Sequence, residues 1–268
     1  MITFPNIKIN IGLDILEPRS DGYHNIESLF YPVNYTDILE ILPSETFELI
    51  NKGIQIDCPV DKNLCYKAWK LIDDNHKINP VKIILYKNVP FGTGLGSGSS
   101  DAAFTLKMLN EMFNLELSEE TLIKYASQIG ADCAFFIKNK PVFASGIGTE
   151  FSETNLDLSG YYLLLCLPDV SVNTANAYKN CKPHFPQKKL SDLIKLPIEE
   201  WKNYIKNDFE TSIFPENLIL SDIKNELYEK GAIYAQMSGS GSSVFGIFKE
   251  DYKDIELETC AKKLALKL

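Results

Sequence analysis

The stretch "VPFGTGLGSGSSDAA" (Val89–Ala103) places glycine at alternate positions 92, 94, 96 and 98, directly before two serines and an alanine-led helical pattern. The apolar strand pattern "VKIILYK" precedes it. Glycine loses more conformational freedom on folding than any other residue, so this loop is costly to order. Backbone N–H groups in such a loop and at the following helix N-terminus are typical of an anion site. We therefore predict a phosphate-binding loop.

Two familiar phosphate motifs are absent from this loop. A dinucleotide fingerprint would need glycine at Ser97 or Ser99, and no lysine follows the glycines as a P-loop requires. A tight turn of small residues that serves packing alone is the alternative. A second segment, "MSGSGSSVFGIF" (Met237–Phe248), taken alone indicates a flexible hairpin turn. As a partner of the first loop, it could close over the same phosphates.

Composition narrows the class of protein. The chain has 268 residues, of which 45% are hydrophobic and 24% charged, as in a globular protein. A net charge of −9 argues against a nucleic-acid partner. The N-terminus lacks signal-peptide character and the longest apolar run is short, so we expect a cytoplasmic protein without a membrane partner. The six cysteines show no C-x-x-C pair, which favours buried free thiols over a metal site or disulfides.

Periodicity predicts an α+β fold in two parts. "NIKINIGLDIL" alternates like a strand, and Leu64, Ala68 and Leu71 share one face of a predicted helix. Ser118 is predicted to cap a helix that Gly130 ends. The polar segment "SETNLDLSG" is the predicted boundary, and "DYKDIELETCAKKLALKL" at the C-terminus is predicted to be a helix.

Three places offer chemistry for phosphoryl transfer, which needs a cation and often a carboxylate. Lys8 interrupts an apolar strand, where a solvated lysine is the alternative. Asp132 lies in "IGADCAFF" and is either a turn former or a functional acid. Tyr23 and His24 follow an Asp-Gly turn and offer a stacking ring and a ring nitrogen, unless they belong to an ordinary surface hairpin.

The order and spacing of five stretches resemble the GHMP kinase superfamily over nearly the whole chain: "FPNIKINIGLDIL", "RSDGYHNIESLF", "VPFGTGLGSGSSDAA", "IGADCAFF" and "MSGSGSSVFGIF". The R-x-D-G-Y-H stretch resembles the members that phosphorylate a cytidine diphosphate-linked methylerythritol. The resemblance implies a two-domain GHMP kinase fold, with a ribosomal-protein-S5-like N-terminal domain and a ferredoxin-like C-terminal domain. Residues 1–153 would form the nucleotide-binding and catalytic domain, and residues 154–268 the C-terminal GHMP-type domain.

The resemblance also implies an activity: transfer of the ATP γ-phosphoryl group, with Mg²⁺, to the C2 hydroxyl of that substrate, in the non-mevalonate route to isoprenoid precursors. Asp132 would be the general base, and Lys8 would orient it and stabilise charge. Asn10 would lie near the acceptor hydroxyl, with His24 at the cytosine edge and Tyr23 and Tyr178 at its faces. The implied ATP-binding residues are Pro90, Phe91, Gly92, Thr93, Gly94, Leu95, Gly96, Ser97, Gly98, Ser99 and Ser100, with Asn63 and Lys87 at the adenine.

Three residues depart from the pattern of this superfamily. Ser97 replaces the usual third glycine, Asp101 stands where asparagine is frequent, and Ala134 replaces a common proline. A serine fits that loop if its φ is negative. The competing functions are another small-alcohol kinase, a catalytically silent nucleotide-binding protein and a dinucleotide-dependent oxidoreductase. We expect a monomer or a weak homodimer.

Overall fold

The computed structural model describes residues 1–250 and 255–268. Its strands are β1 (Ile2–Thr3), β2 (Asn6–Pro18), β3 (His24–Thr36), β4 (Ile38–Pro43), β5 (Glu48–Gly53), β6 (Val81–Lys87), β7 (Val142–Ser145), β8 (Glu150–Glu153), β9 (Tyr162–Cys166), β10 (Tyr234–Met237), β11 (Val244–Phe248) and β12 (Lys263–Lys267). Its helices are α1 (Leu64–His76), α2 (Ser97–Met112), α3 (Glu119–Ile129), α4 (Phe135–Lys138), α5 (Thr174–Asn180), α6 (Leu190–Leu193), α7 (Ile198–Tyr204), α8 (Phe209–Ile213) and α9 (Leu218–Glu229). The predicted α+β class is confirmed.

The chain folds as two compact units. The first comprises Met1–Lys8, Asn34–Phe91 and Gly96–Lys140, and the second comprises Ile9–Val33, Gly92–Leu95 and Pro141–Leu268. Both units are discontinuous in sequence, because the long strands β2 and β3 each contribute residues to both. The single boundary between residues 153 and 154 stays a prediction.

The first unit contains a four-stranded sheet in the order β1-β4-β6-β5, with α2 packed against β4 and α1 packed against α2. Alternation in the strands buries one face. The helical pattern after the glycine loop places Ala102, Leu106, Leu109 and Phe113 on one face; α2 buries the first three, and Phe113 is its half-buried C-cap. The helix α1 is rotated by about one residue from its predicted phase, because Cys65 and Ile72 are buried in it. The predicted cap of α3 is confirmed, since the Ser118 side chain accepts a hydrogen bond from the Thr121 N–H.

The strand β2 is buried on both faces from Asn6 to Leu13. Its sequence alternates, which predicts one face towards solvent. Instead Lys8 is only 3% exposed, so the alternative of a solvated lysine is wrong. A buried ammonium group needs a charged or hydrogen-bonding partner, because its desolvation is otherwise costly. The burial of Lys8 therefore indicates a role other than solvation of the protein surface.

The second unit is built on an antiparallel sheet in the order β10-β11-β9-β12. Counted from β9, this is the strand order of a ferredoxin-like sheet, and the predicted strand–glycine turn–strand at β10 and β11 is confirmed. The strands β7 and β8 form an antiparallel hairpin in the sheet ordered β2-β3-β7-β8. A core cluster that includes Ile15, Leu164, Leu220, Leu227 and Phe248 packs against the C-terminal sheet.

The predicted C-terminal helix is wrong over the described residues. Positions 255–262 are irregular, and Lys263–Lys267 forms β12, which pairs with β9. The sequence "KLALK" is compatible with the periodicity of a helix and with that of a strand. It forms a strand because it pairs with the edge of the buried strand β9. The part of the predicted helix at residues 251–254 lies outside the described residues.

Within residues 1–250 and 255–268, none of the helices combines the length and apolar character that a bilayer crossing requires. All six cysteines are free thiols. Four of them are buried as expected, whereas Cys58 is exposed and Cys181 is partly exposed.

A buried ion network fixes the end of β6 to two other elements of the first unit. The Lys87 ammonium donates to Asp37, which lies between β3 and β4, and to Asp101 Oδ2 of α2 at 2.8 Å. The Asp37 Oδ1 atom also accepts from the N–H groups of Asn88 at 2.7 Å and Val89 at 2.9 Å. Burial lowers the pKa of Lys87, but the two carboxylates outweigh it and raise that pKa above its ordinary value.

We expect Asp37→Ala to lower the free energy of unfolding by about 3–5 kcal/mol, because it leaves a buried ammonium and two buried N–H groups short of an acceptor. The half-exposed pair of Lys82 and Glu48, 3.0 Å apart on the same sheet, is the control. Lys82→Ala should cost about 1 kcal/mol or less. Urea denaturation measures both variants, and equal losses would contradict a central role for Asp37.

Candidate active site

The glycine loop adopts a backbone that favours glycine at three positions. Gly92, Gly94 and Gly96 have φ angles of +66°, +78° and +70°. Ser97 is the first residue of α2 and its φ lies outside this left-handed region. A serine therefore fits where a glycine is usual, as predicted from the sign of φ. The loop needs glycine before the helix rather than within it.

The N-terminus of α2 is free of a capping side chain. Its N-cap is Gly96, which has no side chain to accept a hydrogen bond from the first turn. The first N–H groups of a helix have no partner within the helix, so these groups are available to an anion. The Ser100 hydroxyl of this turn is buried and has no hydrogen-bond partner among the described residues. In the first unit, this helix start has the properties of a phosphate site.

The second glycine segment contacts the middle of the glycine loop, and both belong to the second unit. The Ser243 N–H donates to the Thr93 carbonyl at 3.1 Å, and the Ser238 hydroxyl donates to the Gly94 carbonyl at 3.0 Å. The hydroxyls of Ser242 and Ser243 are buried and have no partner among the described residues. The two glycine-rich segments are thus one hydrogen-bonded structure, which the sequence suggested only as a possibility.

Lys8 and Asp132 form an ion pair in the first unit. The Lys8 Nζ lies 3.5 Å from Asp132 Oδ2, and the Asp132 side chain is 33% exposed. Asp132 is placed by the short 3-10 turn Ala131–Ala134, which forms directly after α3 ends at Gly130. Ala134, where proline is common, lies buried in the same turn. The pair joins a buried cation to a carboxylate that solvent or a substrate can reach.

This ion pair lies next to the start of α2. A Cβ atom added at Gly96 would come within 3.3 Å of Lys8 Cε and 3.1 Å of the Phe136 ring. The backbone of the helix start and the lysine stem are therefore in contact. A phosphate at the N-terminus of α2 would lie close to both Lys8 and Asp132, the arrangement that phosphoryl transfer needs.

A cavity of about 360 Å³ opens beside the same helix start. Its lining includes Asn63, Phe91, Gly98 and Asp101. Asn63 is the N-cap of α1, and its side chain accepts from the Cys65 N–H at 2.9 Å. Lys87 does not line the cavity; its ammonium lies behind the cavity wall, bonded to Asp101 and 4.6 Å from the centre of the Phe91 ring. Its implied contact with adenine stays a prediction.

In the second unit, Asn10 belongs to a buried polar network. Its Nδ2 donates to the Ser28 hydroxyl at 2.9 Å, and its backbone N–H donates to the Ser238 hydroxyl at 3.2 Å. The Gly12 N–H donates to Gln236 Oε1 at 2.9 Å. The network connects β2 to the second glycine segment and positions the Asn10 amide.

The structure brings together His24 and Tyr178, which are far apart in sequence. Their rings stack with centroids 5.1 Å apart and planes 18° apart. Phe209 supports the tyrosine edge-on, with centroids 4.8 Å apart. Tyr23 is 60% exposed. The roles of these three residues towards a cytosine stay predictions.

One group of side chains in the second unit could hold a cation. Atoms of Asp14, His184 and Asp208 lie within 4.8 Å of one another, beside a cavity of about 600 Å³. Burial and the nearby Asp208 raise the pKa of Asp14 to about 7. Sequence patterning did not identify this group, because its members are far apart in the chain. Asp14 and His184 are separated by 170 positions, and His184 and Asp208 by 24.

Two family models match the chain. The model of the GHMP kinases N terminal domain matches residues 63–140, and the model of the GHMP kinases C terminal domain matches residues 190–264. The first match contains the helix start, Asp132 and the adjoining cavity residues described above. The second contains β10, β11 and the second glycine segment.

Sequence and structure comparisons give the same result. The chain is 53% identical over 262 residues to 4-diphosphocytidyl-2-C-methyl-D-erythritol kinase of Bacteroides fragilis, covering 96% of each protein. It is 52% identical over 255 residues to the protein of that name from Bacteroides thetaiotaomicron, covering 94% and 93%. It resembles a crystal structure of 4-(cytidine 5'-diphospho)-2C-methyl-D-erythritol kinase with a TM-score of 0.77 and 28% identity, covering 92% and 90%.

We expect Gly94→Ala to destabilise the protein strongly and Gly98→Ala to leave its stability unchanged or slightly higher. A Cβ at Gly94 would lie 2.0 Å from the Ser238 carbonyl oxygen, in addition to the strain of φ +78°. At Gly98 the nearest atom would be 3.8 Å away, and alanine favours a helix. The predicted loss at Gly94 exceeds about 2 kcal/mol. Chemical denaturation compares the two variants, and an equal effect would contradict the described loop.

Proposed function

Because the chain belongs to the GHMP kinases and, within them, to the 4-diphosphocytidyl-2-C-methyl-D-erythritol kinases, we propose that it transfers the ATP γ-phosphoryl group to the C2 hydroxyl of that substrate, with Asp132 as base. The reaction serves isoprenoid precursor synthesis. The observation that carries the residue assignment is the ion pair of Lys8 and Asp132 beside the uncapped N-terminus of α2. A protein that only binds nucleotide needs neither group.

The chemical step divides between these two residues. As the acceptor oxygen attacks the γ-phosphorus and the bond to the β-phosphate oxygen breaks, the hydroxyl proton passes to the Asp132 carboxylate. The Lys8 ammonium, 3.5 Å from that carboxylate, orients it and offsets negative charge near the transferred group. Lys8 is buried, so its position is held by the surrounding strand rather than by solvent.

ATP is the cosubstrate in this proposal. Its phosphates would lie along Pro90–Ser100 and bind the free N–H groups of α2. Its adenine would occupy the cavity lined by Asn63 and Phe91. Mg²⁺, which neutralises phosphate charge in such reactions, fits the donor set here, because the buried Ser100 hydroxyl has no partner among the described residues and is a hard oxygen ligand.

The second substrate would be recognised by the other unit. His24 offers a ring nitrogen to the cytosine edge, and Tyr178, braced by Phe209, offers an aromatic face. The rings of His24 and Tyr178 already stack on each other, so a base placed between them would require one ring to turn. Asn10 would position the methylerythritol portion, and Tyr23 would cover the base. A monomer or weak homodimer stays a prediction.

We expect Asp132→Asn to lower kcat by about 10²–10⁴-fold, because the amide cannot accept the hydroxyl proton. ADP release that depends on 4-diphosphocytidyl-2-C-methyl-D-erythritol measures the rate, and calorimetry measures ATP affinity, which should stay the same. The exposed Glu120→Gln on α3 is the matched control and should retain full activity. An Asp132→Asn variant with normal kcat would contradict the proposed base.

We expect His24→Ala to raise KM for the cytidyl substrate by about tenfold or more and to change KM for ATP by less than twofold, since one lost ring contact and hydrogen bond amounts to about 1–3 kcal/mol. Steady-state kinetics with each substrate varied in turn separates the two constants. Equal changes in both KM values, or turnover of mevalonate or homoserine at similar rates, would show that the assignment is wrong.

A further inference from the structure

The side chain of Asn207 is buried in the second unit and hydrogen-bonded at both ends of its amide group. Asn207 is 1% exposed. Its Nδ2 donates to the Met237 carbonyl and to the Gly239 carbonyl, at 2.8 Å in each case, and its Oδ1 accepts from the Phe209 N–H at 3.0 Å. A side-chain amide has two N–H donors, so both are used on the backbone of the second glycine segment. Asn207 therefore holds that backbone directly.

The two carbonyl groups that Asn207 holds lie on either side of Ser238. The Ser238 hydroxyl donates to the Gly94 carbonyl of the glycine loop at 3.0 Å and accepts from the Asn10 N–H at 3.2 Å. Ser238 is fully buried, so solvent does not compete for these bonds. Ser238 thus connects the glycine loop to Asn10, and Asn207 fixes Ser238 from both sides.

The backbone around Asn207 is itself bonded to β2. The Leu13 N–H donates to the Lys206 carbonyl, and the Asp208 N–H donates to the Leu13 carbonyl, both at 2.9 Å. A functional group is held most accurately where the residues that support it are themselves fixed. The Asn207 side chain therefore extends from a backbone that is attached to the strand carrying Asn10.

We propose that Asn207 is a positioning residue for phosphoryl transfer: by fixing the backbone on both sides of Ser238, it sets the position of the glycine loop relative to Asn10. The proposal rests on the proposed function, in which that loop binds the phosphates of ATP and Asn10 lies near the acceptor hydroxyl. Asn207 takes no part in the chemical step and acts through Ser238. A misplacement of about 1 Å can slow such a reaction about 10²-fold, so an accurate anchor matters here.

A purely structural role would predict a loss of stability without a specific loss of rate, as for any buried hydrogen-bonded group. Glu226 is such a group in the same unit. Its carboxylate is buried and accepts from the Glu258 N–H, the Thr259 N–H and the Thr259 hydroxyl. These donors lie outside both glycine-rich segments. Glu226 is therefore the matched control for Asn207.

Asn207→Asp and Glu226→Gln each exchange one side-chain atom. In Asn207→Asp the acceptor for the Phe209 N–H remains, but a carboxyl group has at most one O–H donor, so at least one bond to the glycine segment is lost in either protonation state. We expect kcat to fall by about 10–10²-fold. The KM for the cytidyl substrate should change by less than about twofold, since the proposed contacts of His24 and Tyr178 do not use the Asn207 donors. Glu226→Gln should keep the native kcat, measured by ADP release.

Combining Asn207→Asp with Ser238→Ala tests whether Asn207 acts through Ser238. Ser238→Ala removes the hydroxyl that contacts Gly94 and should also lower kcat. If both substitutions disturb the same contact, the double variant should lie within about twofold of the slower single variant. Losses that multiply in the double variant would overturn the proposal. So would an unchanged kcat in Asn207→Asp, or an equal loss of kcat in Glu226→Gln.

Hydrogen exchange measures the same anchor without any substrate. Asn207→Asp should speed exchange of the backbone amides at 238–243 by about tenfold or more, whereas Glu226→Gln should do so only around 258–260. If Asn207→Asp does not fold, NMR of the native protein gives a second measurement, because the Asn207 side-chain N–H protons should be protected from exchange. Unchanged exchange at 238–243, or unprotected side-chain protons, would overturn the proposal. A failure of the proposed kinase reaction remains distinguishable, since it would leave these exchange rates as expected.

Discussion

The ammonium group of Lys87 lies where water does not reach, and the first compact unit is arranged around that charge. It ties the end of β6 to the residue between β3 and β4 and to the second turn of α2. Since Asp101 is held by Lys87, the start of α2 is fixed in position a few residues upstream. The free N–H groups at that start, the neighbouring ion pair and the adjoining cavity all depend on this position. A structural ion network thus determines where phosphate chemistry can occur.

Short-range sequence patterns were sufficient to predict elements whose conformation depends only on their own residues. The serine cap of α3 and the apolar strand pattern of β6 are short-range signals, and the structure confirms both. The glycine loop was identified for the same reason, because positive φ angles require glycine whatever surrounds them. The pairing of Lys8 with Asp132 needed the resemblance, since 124 residues separate them and no periodicity connects them.

Partners that are distant in sequence account for what patterning missed. In the sequence, Asp37 is an ordinary polar residue between two strands. Its role as the partner of a buried cation depends on Lys87, which lies 50 positions further along the chain. The C-terminal "KLALK" is compatible with a helix and with a strand. It forms a strand because it pairs with β9, which lies about a hundred residues earlier in the chain.

The discontinuous division of the chain has a consequence for its synthesis. Every residue of the first unit has been made once Lys140 has been added, so that unit can fold while the ribosome is still at work. The segment Ile9–Val33, made early, belongs to the second unit and must wait for residues beyond Pro141. These two apolar strands are therefore exposed for longer than any other part of the chain. For this protein, the interval between those two events during translation is when misfolding and chaperone binding have their greatest opportunity.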